Sequence, residues 1–490
     1  MLSKSRFLAG LQCPLSLWYL CFKPELATPV SPFQQALFDT GREVGLLATR
    51  RFESGVLIAE DYLHHQEAVR KTHSAMADED IKALFEPAFL EDDIRIRVDV
   101  LERAERSKWN LIEVKSTASV KEIHKFDVAV QYRVLRDAGL DIARVYLMHL
   151  NNQYVYGGTE LNLKGLFTLF DLTAQARSLQ NEIDRKLKAL KTMLGKAQPP
   201  DIAPSKHCTS PYLCRFWEHC TREMSENWVM NLHGITHKKI DQLEAAGVTT
   251  IDEIPETFPL TQIQERQKQC IDFACDYISD KLASQLLDVE YPLHFLDFET
   301  VAPALPHYAR TRPFHTIPFQ WSDHILGKDG TLDHHEYLCM EDKDPQAEFA
   351  QTLLSTLGET GTIFIWAPYE RRIITELSES FPNLNLELNA LLPRLNDLNA
   401  IIRKNYYHRN FKGSFSLKAV LPALVPDMDY AALEIQEGAT ASLEYLRFLN
   451  AKTPAAEKEN IKSNLMTYCG FDTLAMVRIR EALLKRVNKK

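Results

Sequence analysis

IRIRVDVLE at residues 94–102 and WNLIEVKS at residues 109–116 alternate apolar and polar side chains over most of their length. A period of two is typical of β-strands that bury one face, and the polar stretch between the segments predicts a turn that pairs them. Side chains two apart share a face of a strand, so Glu113 and Lys115 project together. Pairing of the strands is expected to bring Asp99 beside Glu113.

An amphipathic helix is predicted next, in VKEIHKFDVAVQYRVLRDAG. Helical spacing places His124, Asp127 and Gln131 on one face, with Tyr132 adjacent. This face is expected to border the carboxylates of the strand pair.

The strand pair carries a plausible metal site. Two carboxylates, Asp99 and Glu113, together with the main-chain carbonyl of Val114, suit a hard divalent cation such as Mg²⁺ or Mn²⁺. Lys115 would then stabilise an attacking water or charge that develops on a phosphate. The alternative interpretation is a solvated strand face with cross-strand ion pairs, which a bare D…ExK match does not exclude.

The D…EVK…QY series resembles the PD-(D/E)xK nucleases of the RecB and AddB type, including the CRISPR-associated RecB-like nucleases. The resemblance covers roughly the first 220 residues. It implies that Asp99 and Glu113 are metal ligands and that Lys115 is the catalytic lysine. It also implies that Gln131 and Tyr132 are the supporting helix residues. Many of these nucleases use a further, upstream histidine ligand, for which this sequence offers Glu43 or Glu86.

Nine cysteines, an odd number, fit a disulfide scaffold poorly. Four of them stand out by position, namely Cys13, Cys208, Cys214 and Cys220. The iron–sulfur RecB-like nucleases have one cysteine before the nuclease core and three after it, so the resemblance implies a [4Fe-4S] cluster that fastens the two ends of the domain. A structural zinc site and unrelated buried thiols remain alternatives.

A second set of acidic residues lies in the C-terminal part. In HFLDFET the strand residues Asp297 and Glu299 project to one face, and in YCGFD the helix residues Tyr468 and Asp472 face one way. Together they predict a site for two divalent ions, at which Tyr468 would orient the attacking water. Buried or capping carboxylates are the alternative interpretation.

These motifs resemble the DEDD exonucleases of the DnaQ and RNase H-like class, in the subgroup with tyrosine before the last aspartate (DEDDy). The resemblance implies stepwise removal of nucleotides from a 3′ end. The class supplies another aspartate after a central strand, where IWAPYE here offers Glu370. Asp397 is a weaker candidate that could equally cap a helix. Ser414 is expected to cap a helix that carries Lys418, a candidate phosphate contact.

Between the two sites, LHGITHKKIDQLEAAGVTTIDEI (residues 232–254) resembles a helix-hairpin-helix, with a glycine turn between two helical stretches. Such a module holds nucleic-acid backbone through turn amides and nearby lysines, here Lys238 and Lys239. A plain helical spacer explains the same text equally well.

Changes of periodicity divide the chain into residues 1–222, 223–288 and 289–490. Strands interleaved with helices predict an α/β protein. We expect a restriction-endonuclease-like PD-(D/E)xK domain and an RNase H-like domain, joined by the helical segment. The order of parts resembles a bacterial family of RecB-like and RNase H-like fusions along nearly the entire chain.

Composition constrains the location and the partners. The apolar start of the chain begins as a signal peptide does, but Gln12, Ser16 and Lys23 interrupt it. No other stretch approaches the roughly 18 apolar residues that a membrane helix requires, and we expect a cytoplasmic protein without a membrane partner. With a net charge of −9, contact with DNA must use local basic patches.

The sequence therefore predicts a metal-dependent DNA nuclease with two phosphodiester-hydrolysing sites, acting in DNA repair, processing or defence. Two alternatives remain. One is a catalytically inactive DNA-binding scaffold, and the other is a zinc-stabilised RNA-processing exonuclease.

Overall fold

The computed structural model describes residues 1–105 and 107–487. The chain divides into two compact units, and the first comprises Met1–Glu223 with Pro303–His315. The second comprises Met224–Ala302 with Thr316–Lys490. Both units mix helices with β-sheets, so the protein is of the α/β class.

The first unit contains strands and helices in both halves of its sequence. Its strands are β1 (Leu2–Ser3), β2 (Gly55–Leu57), β3 (Ala83–Phe85), β4 (Ala88–Glu91), β5 (Ile94–Arg97), β6 (Val100–Glu105), β7 (Lys108–Lys115), β8 (Asp141–Leu150) and β9 (Phe167–Asp171). Its helices are α1 (Lys4–Gln12), α2 (Pro14–Phe22), α3 (Pro32–Thr49), α4 (His65–Met76), α5 (Glu122–Asp137), α6 (Leu163–Leu166), α7 (Thr173–Ser178), α8 (Gln180–Leu194) and α9 (Trp217–Thr221).

The main sheet of this unit has the strand order β2-β3-β6-β7-β8-β9, in which β6 pairs antiparallel with β7 and β7 pairs parallel with β8. Alternation along β7 sends Leu111 into one apolar layer and Ile112 into the other. Glu113 lies two residues after Leu111 on β7 and therefore projects from the same face of the sheet. This face is covered by α5, whose valines pack into the apolar layer of Leu111. The predicted helix is confirmed, and it begins and ends within the quoted segment.

The prediction of one continuous strand in IRIRVDVLE is wrong. The segment breaks after Arg97, because β5 joins a separate sheet in the order β1-β5-β4 while β6 joins the main sheet. The segment that pairs with β5 and β6 is also interrupted, between β3 and β4. There Glu86 has φ +55° and Pro87 has no N–H to donate to a neighbouring strand. Asp99 lies at this change of sheet, and its carbonyl accepts a hydrogen bond from Glu86 N (3.2 Å).

The second unit begins with helices and continues as strands with intervening helices. Its helices are α10 (His237–Ala245), α11 (Gln262–Asp272), α12 (Leu282–Leu287), α13 (Gln346–Leu357), α14 (Tyr369–Ser380), α15 (Asn385–Leu391), α16 (Leu398–Asn405), α17 (Leu417–Leu424), α18 (Gly438–Leu449) and α19 (Ala455–Val487). Its strands are β10 (Tyr277–Ile278), β11 (Leu293–Val301), β12 (Ile317–Leu326), β13 (Leu332–Leu338), β14 (Thr362–Ile365), β15 (Leu395–Asp397) and β16 (Tyr406–Tyr407).

A five-stranded sheet in the order β13-β12-β11-β14-β15 is the centre of the second unit. β11 pairs antiparallel with β12 and parallel with β14, so the sheet is mixed. Phe295 packs into an apolar layer shared with α17, α18 and α19, and Leu296 packs into the opposite layer with α13, α14 and α15. Burial on both faces explains the nearly continuous apolar run of β11, which Asp297 and Glu299 interrupt on the α19 side.

The central segment and the apolar start of the chain are both helical in part. The quoted central segment, residues 232–254, holds one α-helix, α10, because the chain after Gly247 is not helical where the second helical stretch was predicted. The apolar start of the chain forms α1 and α2, whose Phe7 and Leu17 are buried in the first unit. No helix of the described residues is long and apolar enough to cross a membrane.

Candidate functional site

The first acidic site lies where β6 and β7 begin to pair. The register Val100↔Ile112 continues toward Asp99 and Glu113, and the Val114 N–H donates a hydrogen bond to Asp99 Oδ2 (2.6 Å). The expected neighbourhood of Asp99 and Glu113 is therefore observed. Asp99 and Val114 both line a groove of about 800 Å³ that opens onto this site.

Two lysines hold the carboxylates of this site. Lys115 Nζ donates to Glu113 Oε1 (2.6 Å) and lies 2.8 Å from Asp127 Oδ2. Lys4 Nζ, from the first turn of α1, donates to both oxygens of Glu113 (2.8 and 2.9 Å) and lies 3.5 Å from Asp127 Oδ1. No sequence motif marks Lys4, which lies 109 residues from Glu113 along the chain.

Burial and charge set the protonation of this site. Burial and the Glu113 carboxylate together raise the pKa of Asp99 to about 7. Burial also favours the neutral form of Glu113, but Lys115 and Lys4 outweigh it, so that the pKa of Glu113 lies below its ordinary value. Burial and Glu113 raise the pKa of Asp127. The site thus holds one firmly ionised carboxylate, Glu113, and two carboxyl groups that resist ionisation, Asp99 and Asp127.

The predicted helix face of α5 borders the site. Gln131 Nε2 donates to Glu113 Oε2 (2.7 Å) and to Asp127 Oδ1 (3.0 Å). His124 lines the groove, and burial with nearby Lys115 lowers the pKa of His124 to about 4, so its ring is neutral at neutral pH. Tyr132 instead packs, partly buried, against the apolar core.

The two candidates for a further ligand lie in different surroundings. Glu43 is exposed on α3 and does not line the groove. Glu86 has its backbone N–H bonded to Asp99 and its carboxylate 3.7 Å from Arg97 Nε. Burial raises the pKa of Glu86, with smaller effects from Arg97, Lys4 and Glu113. Glu86 is therefore the candidate that the structure brings near the site.

The four predicted cluster cysteines lie around one small cavity of the first unit, lined by Cys13, Cys208, Cys214 and Cys220. Cys13 ends α1, and the backbone N–H of Cys214 donates to the Cys208 carbonyl (2.7 Å). Burial, together with smaller effects of the other three thiols, raises the pKa of Cys208 to about 11. The structure thus brings together residues that are about 200 positions apart.

The second acidic site lies between β11 and α19. Asp297, Glu299 and Asp472 each offer an oxygen, and these three atoms lie within 4.8 Å of one another, close enough to share one cation. In the described part of the chain, no other set of three His, Cys, Asp or Glu side chains has its ligand atoms this close. Cys469 Sγ lies 3.9 Å from Asp297 Oδ2 and closes the site from the helix side.

Burial and mutual repulsion shift the pKa values of these carboxyls upward. The pKa of Asp297 lies well above its ordinary value because the group is buried and faces Asp472, Glu370 and Glu299. Burial and Asp472 raise the pKa of Glu299 to about 8. Burial raises the pKa of Asp472 to about 6, although hydrogen bonds from Tyr430 and Tyr468 oppose the rise.

Two residues beside Asp472 complete the second site. The Tyr430 hydroxyl donates a hydrogen bond to Asp472 Oδ1. Lys418 Nζ lies 5.6 Å from the Tyr430 ring and 5.8 Å from the Tyr468 ring. No sequence signal marked Tyr430, because it precedes Asp472 by 42 residues and lies in a short 3₁₀ turn outside the motifs. The helix that carries Lys418 has Ser416 at its N-cap position, not Ser414 as predicted.

Glu370 and Asp397 differ in their roles. Glu370 is 3% exposed in the first turn of α14, and burial raises its pKa to about 8. Its Oε2 has no hydrogen-bond partner in the described structure, which is unusual for a buried oxygen. Asp397 caps α16 by accepting a hydrogen bond from Ala400 N (2.8 Å). Glu370 is therefore the carboxylate that remains open for a ligand.

The two predicted backbone contacts of the central segment are not equivalent. Lys238 is exposed at the start of α10. Lys239 Nζ donates a hydrogen bond to Gln264 Oε1 (2.8 Å), so its ammonium group already has a partner within the second unit.

Comparison with known proteins identifies one family model. Residues 294–416 match the family described as Domain of unknown function (DUF2779). The match spans less than half of the chain, includes Asp297, Glu299 and Glu370, and ends before Lys418 and Asp472. No curated protein and no solved structure matches the chain. The chain thus contains a segment similar to the DUF2779 family.

Proposed function

We propose that the protein is a metal-dependent deoxyribonuclease that hydrolyses phosphodiester bonds at two sites. The observation that carries the proposal is the cluster of Asp297, Glu299 and Asp472, whose oxygens lie within 4.8 Å of one another. Three carboxyls at this separation, two of them on buried residues, repel one another when ionised. A divalent cation removes that cost, and Mg²⁺ and Mn²⁺ prefer such oxygen ligands.

The second unit is proposed to be an RNase H-like exonuclease domain of the DEDDy subgroup. Asp297, Glu299 and Asp472 would hold the cation, and the orphaned oxygen of Glu370 would serve a second one. The bound ions supply charge stabilisation at the phosphate and a lower pKa of water. The Tyr468 hydroxyl favours the ionised form of Asp472 and would orient the attacking water. Stepwise removal of nucleotides from a 3′ end is the expected activity.

The first unit is proposed to be a RecB-like PD-(D/E)xK nuclease domain. Within the described residues, Asp99 accepts one hydrogen bond, at Oδ2, and faces the groove, so its other oxygen is open to a cation. Glu113 and the Val114 carbonyl would complete the protein ligands. Lys115, released from Glu113, would stabilise charge on the phosphate. Gln131 keeps Glu113 oriented, and Tyr132 supports the helix from the apolar side.

The cysteine set is proposed to hold a [4Fe-4S] cluster. Four thiolates around one zinc ion at about 2.3 Å would bring their sulfurs within roughly 3.8 Å of one another. The four thiols line one cavity, yet no three of them come within 4.8 Å. This wider spacing favours a group larger than one ion. The cluster would fasten α1 to the segment that carries Cys208, Cys214 and Cys220.

DNA is the proposed substrate, on the strength of the resemblance to RecB-like and RNase H-like fusions. Lys238, exposed at the α10 start, is the proposed backbone contact of the helix-hairpin-helix-like segment. Lys239 would assist only after release from Gln264.

The test uses the full-length protein, purified anaerobically, with labelled single- and double-stranded DNA and an RNA of the same sequence. Wild type is compared with Lys115→Ala, Asp297→Ala and the double variant in Mg²⁺ or Mn²⁺. Each single variant should lose a different part of the digestion pattern, and the double variant should be inert. Binding of DNA without cleavage by wild type would favour a scaffold, whereas cleavage of RNA alone would favour the RNA-processing alternative.

A further inference from the structure

Lys4 places an ammonium group between two carboxylates of the first site. Its Nζ lies 2.8 and 2.9 Å from the two oxygens of Glu113 and 3.5 Å from Asp127 Oδ1. Two-metal sites hold their ions about 3.5–4 Å apart and share carboxylate ligands. In this site, a second ion would lie on the Asp127 side of Glu113 and share that carboxylate. The Lys4 side chain occupies this place.

The hydrogen-bonding capacity of Glu113 is fully used. A carboxylate offers about four lone-pair positions, and Glu113 accepts two bonds from Lys4, one from Lys115 and one from Gln131. An incoming cation must therefore displace a donor. Lys115 bonds one Glu113 oxygen and also lies 2.8 Å from Asp127 Oδ2, so it can leave Glu113 and keep Asp127 as its partner. Lys4 bonds both Glu113 oxygens and is the lysine that stays on Glu113.

The second site has no such internal cation among the described residues. Lys418 lies against the rings of Tyr430 and Tyr468 at 5.6 and 5.8 Å. Within residues 1–105 and 107–487, Lys418 forms no ion pair with a carboxylate. The carboxylates of the second site thus face one another without an ammonium group between them.

We infer that the first site binds a single divalent cation and that the Lys4 ammonium takes the place of a second one. The bound cation lies on the Asp99 side of Glu113, and Lys4 remains on the Asp127 side as a positioning residue. The two sites of the chain therefore differ in metal stoichiometry, with one ion at the first and two at the second. This inference rests on the proposed metal-dependent function.

Counting of Mn²⁺ by electron paramagnetic resonance tests the inference without an activity assay. The full-length chain carries Asp297→Ala and Glu299→Ala, so that the remaining bound Mn²⁺ reports the first site. This chain should bind one Mn²⁺. Addition of Lys4→Met removes the Lys4 ammonium from both Glu113 oxygens and should raise the count to two, with the signal of a coupled pair. Lys4→Arg keeps the positive charge and should bind one.

Lys71→Met is the matched control, because Lys71 also pairs with glutamates but lies more than half exposed on α4. It should leave the count at one. A count of two with Lys4 intact overturns the inference and leaves the nuclease proposal standing, as does an unchanged count in a folded Lys4→Met chain. If Lys4→Met does not fold, the count with Lys4 intact decides alone. A count of zero contradicts the proposed metal site itself.

Discussion

Withdrawal of divalent cations should make the second unit less stable as the pH rises. The pKa of Glu299 moves from 4.5 to about 8 and that of Asp472 from 3.8 to about 6 on folding. The unfolded chain releases these protons near pH 4, whereas the folded chain keeps them into the neutral range. The folded state therefore binds more protons in this window, and its unfolding free energy falls as the pH rises through it.

The magnitude follows from the pKa values. A pKa that differs by one between the folded and the unfolded chain corresponds to about 1.4 kcal/mol, so Glu299 alone implies a loss on the order of 5 kcal/mol between about pH 4 and pH 9. A cation bound to the ionised carboxyls acts in the opposite direction. At 100 times its Kd it stabilises by about 2.7 kcal/mol, which raises the unfolding temperature of a unit of this size by roughly 5–10 °C.

Calorimetric unfolding of the full-length protein at acidic, neutral and mildly alkaline pH, with chelator or with Mg²⁺, measures both effects. Glu299→Gln should flatten the pH dependence in chelator and reduce the rise caused by Mg²⁺. Glu434→Gln, at an exposed position of the same unit, should change neither. An unfolding temperature that stays level or increases from pH 5 to pH 8.5 in chelator would refute the reasoning.

Three further outcomes follow. Tyr430→Phe removes a hydrogen bond to a charged group, worth about 1.5–3 kcal/mol, and raises the pKa of Asp472. In a 3′-end digestion assay its acid limb should therefore move to higher pH than that of wild type. Cys13→Ser should abolish absorbance near 400 nm and reduce the iron content, whereas Cys275→Ser, at an exposed thiol, should retain both; zinc in the wild type would contradict the cluster. Gly361→Ala should destabilise the protein by more than about 1 kcal/mol in denaturant titration, because φ is +96° and the added Cβ would lie 2.2 Å from the Pro292 carbonyl oxygen; an unchanged midpoint would count against this packing.

Local patterns were sufficient for the elements and for part of each site. The apolar run that leads into Asp297 and Glu299 predicted β11, and the i, i+4 spacing of Tyr468 and Asp472 predicted one face of α19. Such features depend on periods of two and 3.6 residues, which are visible within a short window. The prediction of a single strand for IRIRVDVLE is wrong because the segment is divided between two sheets. Its pairing with two sheets depends on the break at Glu86 and Pro87, and a local period carries no information about a partner strand.

The sequence by itself determined the α/β class, the main strands and helices, and the residue types that offer oxygen and sulfur ligands. The tertiary structure alone decided which of them meet: Lys4 on α1 reaches Glu113, Tyr430 reaches Asp472, and Cys13 reaches the cavity of the later cysteines. It also decided that Glu86, not Glu43, lies near Asp99. The physical reason is that burial and charge pairing act between groups close in space, and chain folding brings them together across more than 40 residues without any local periodicity.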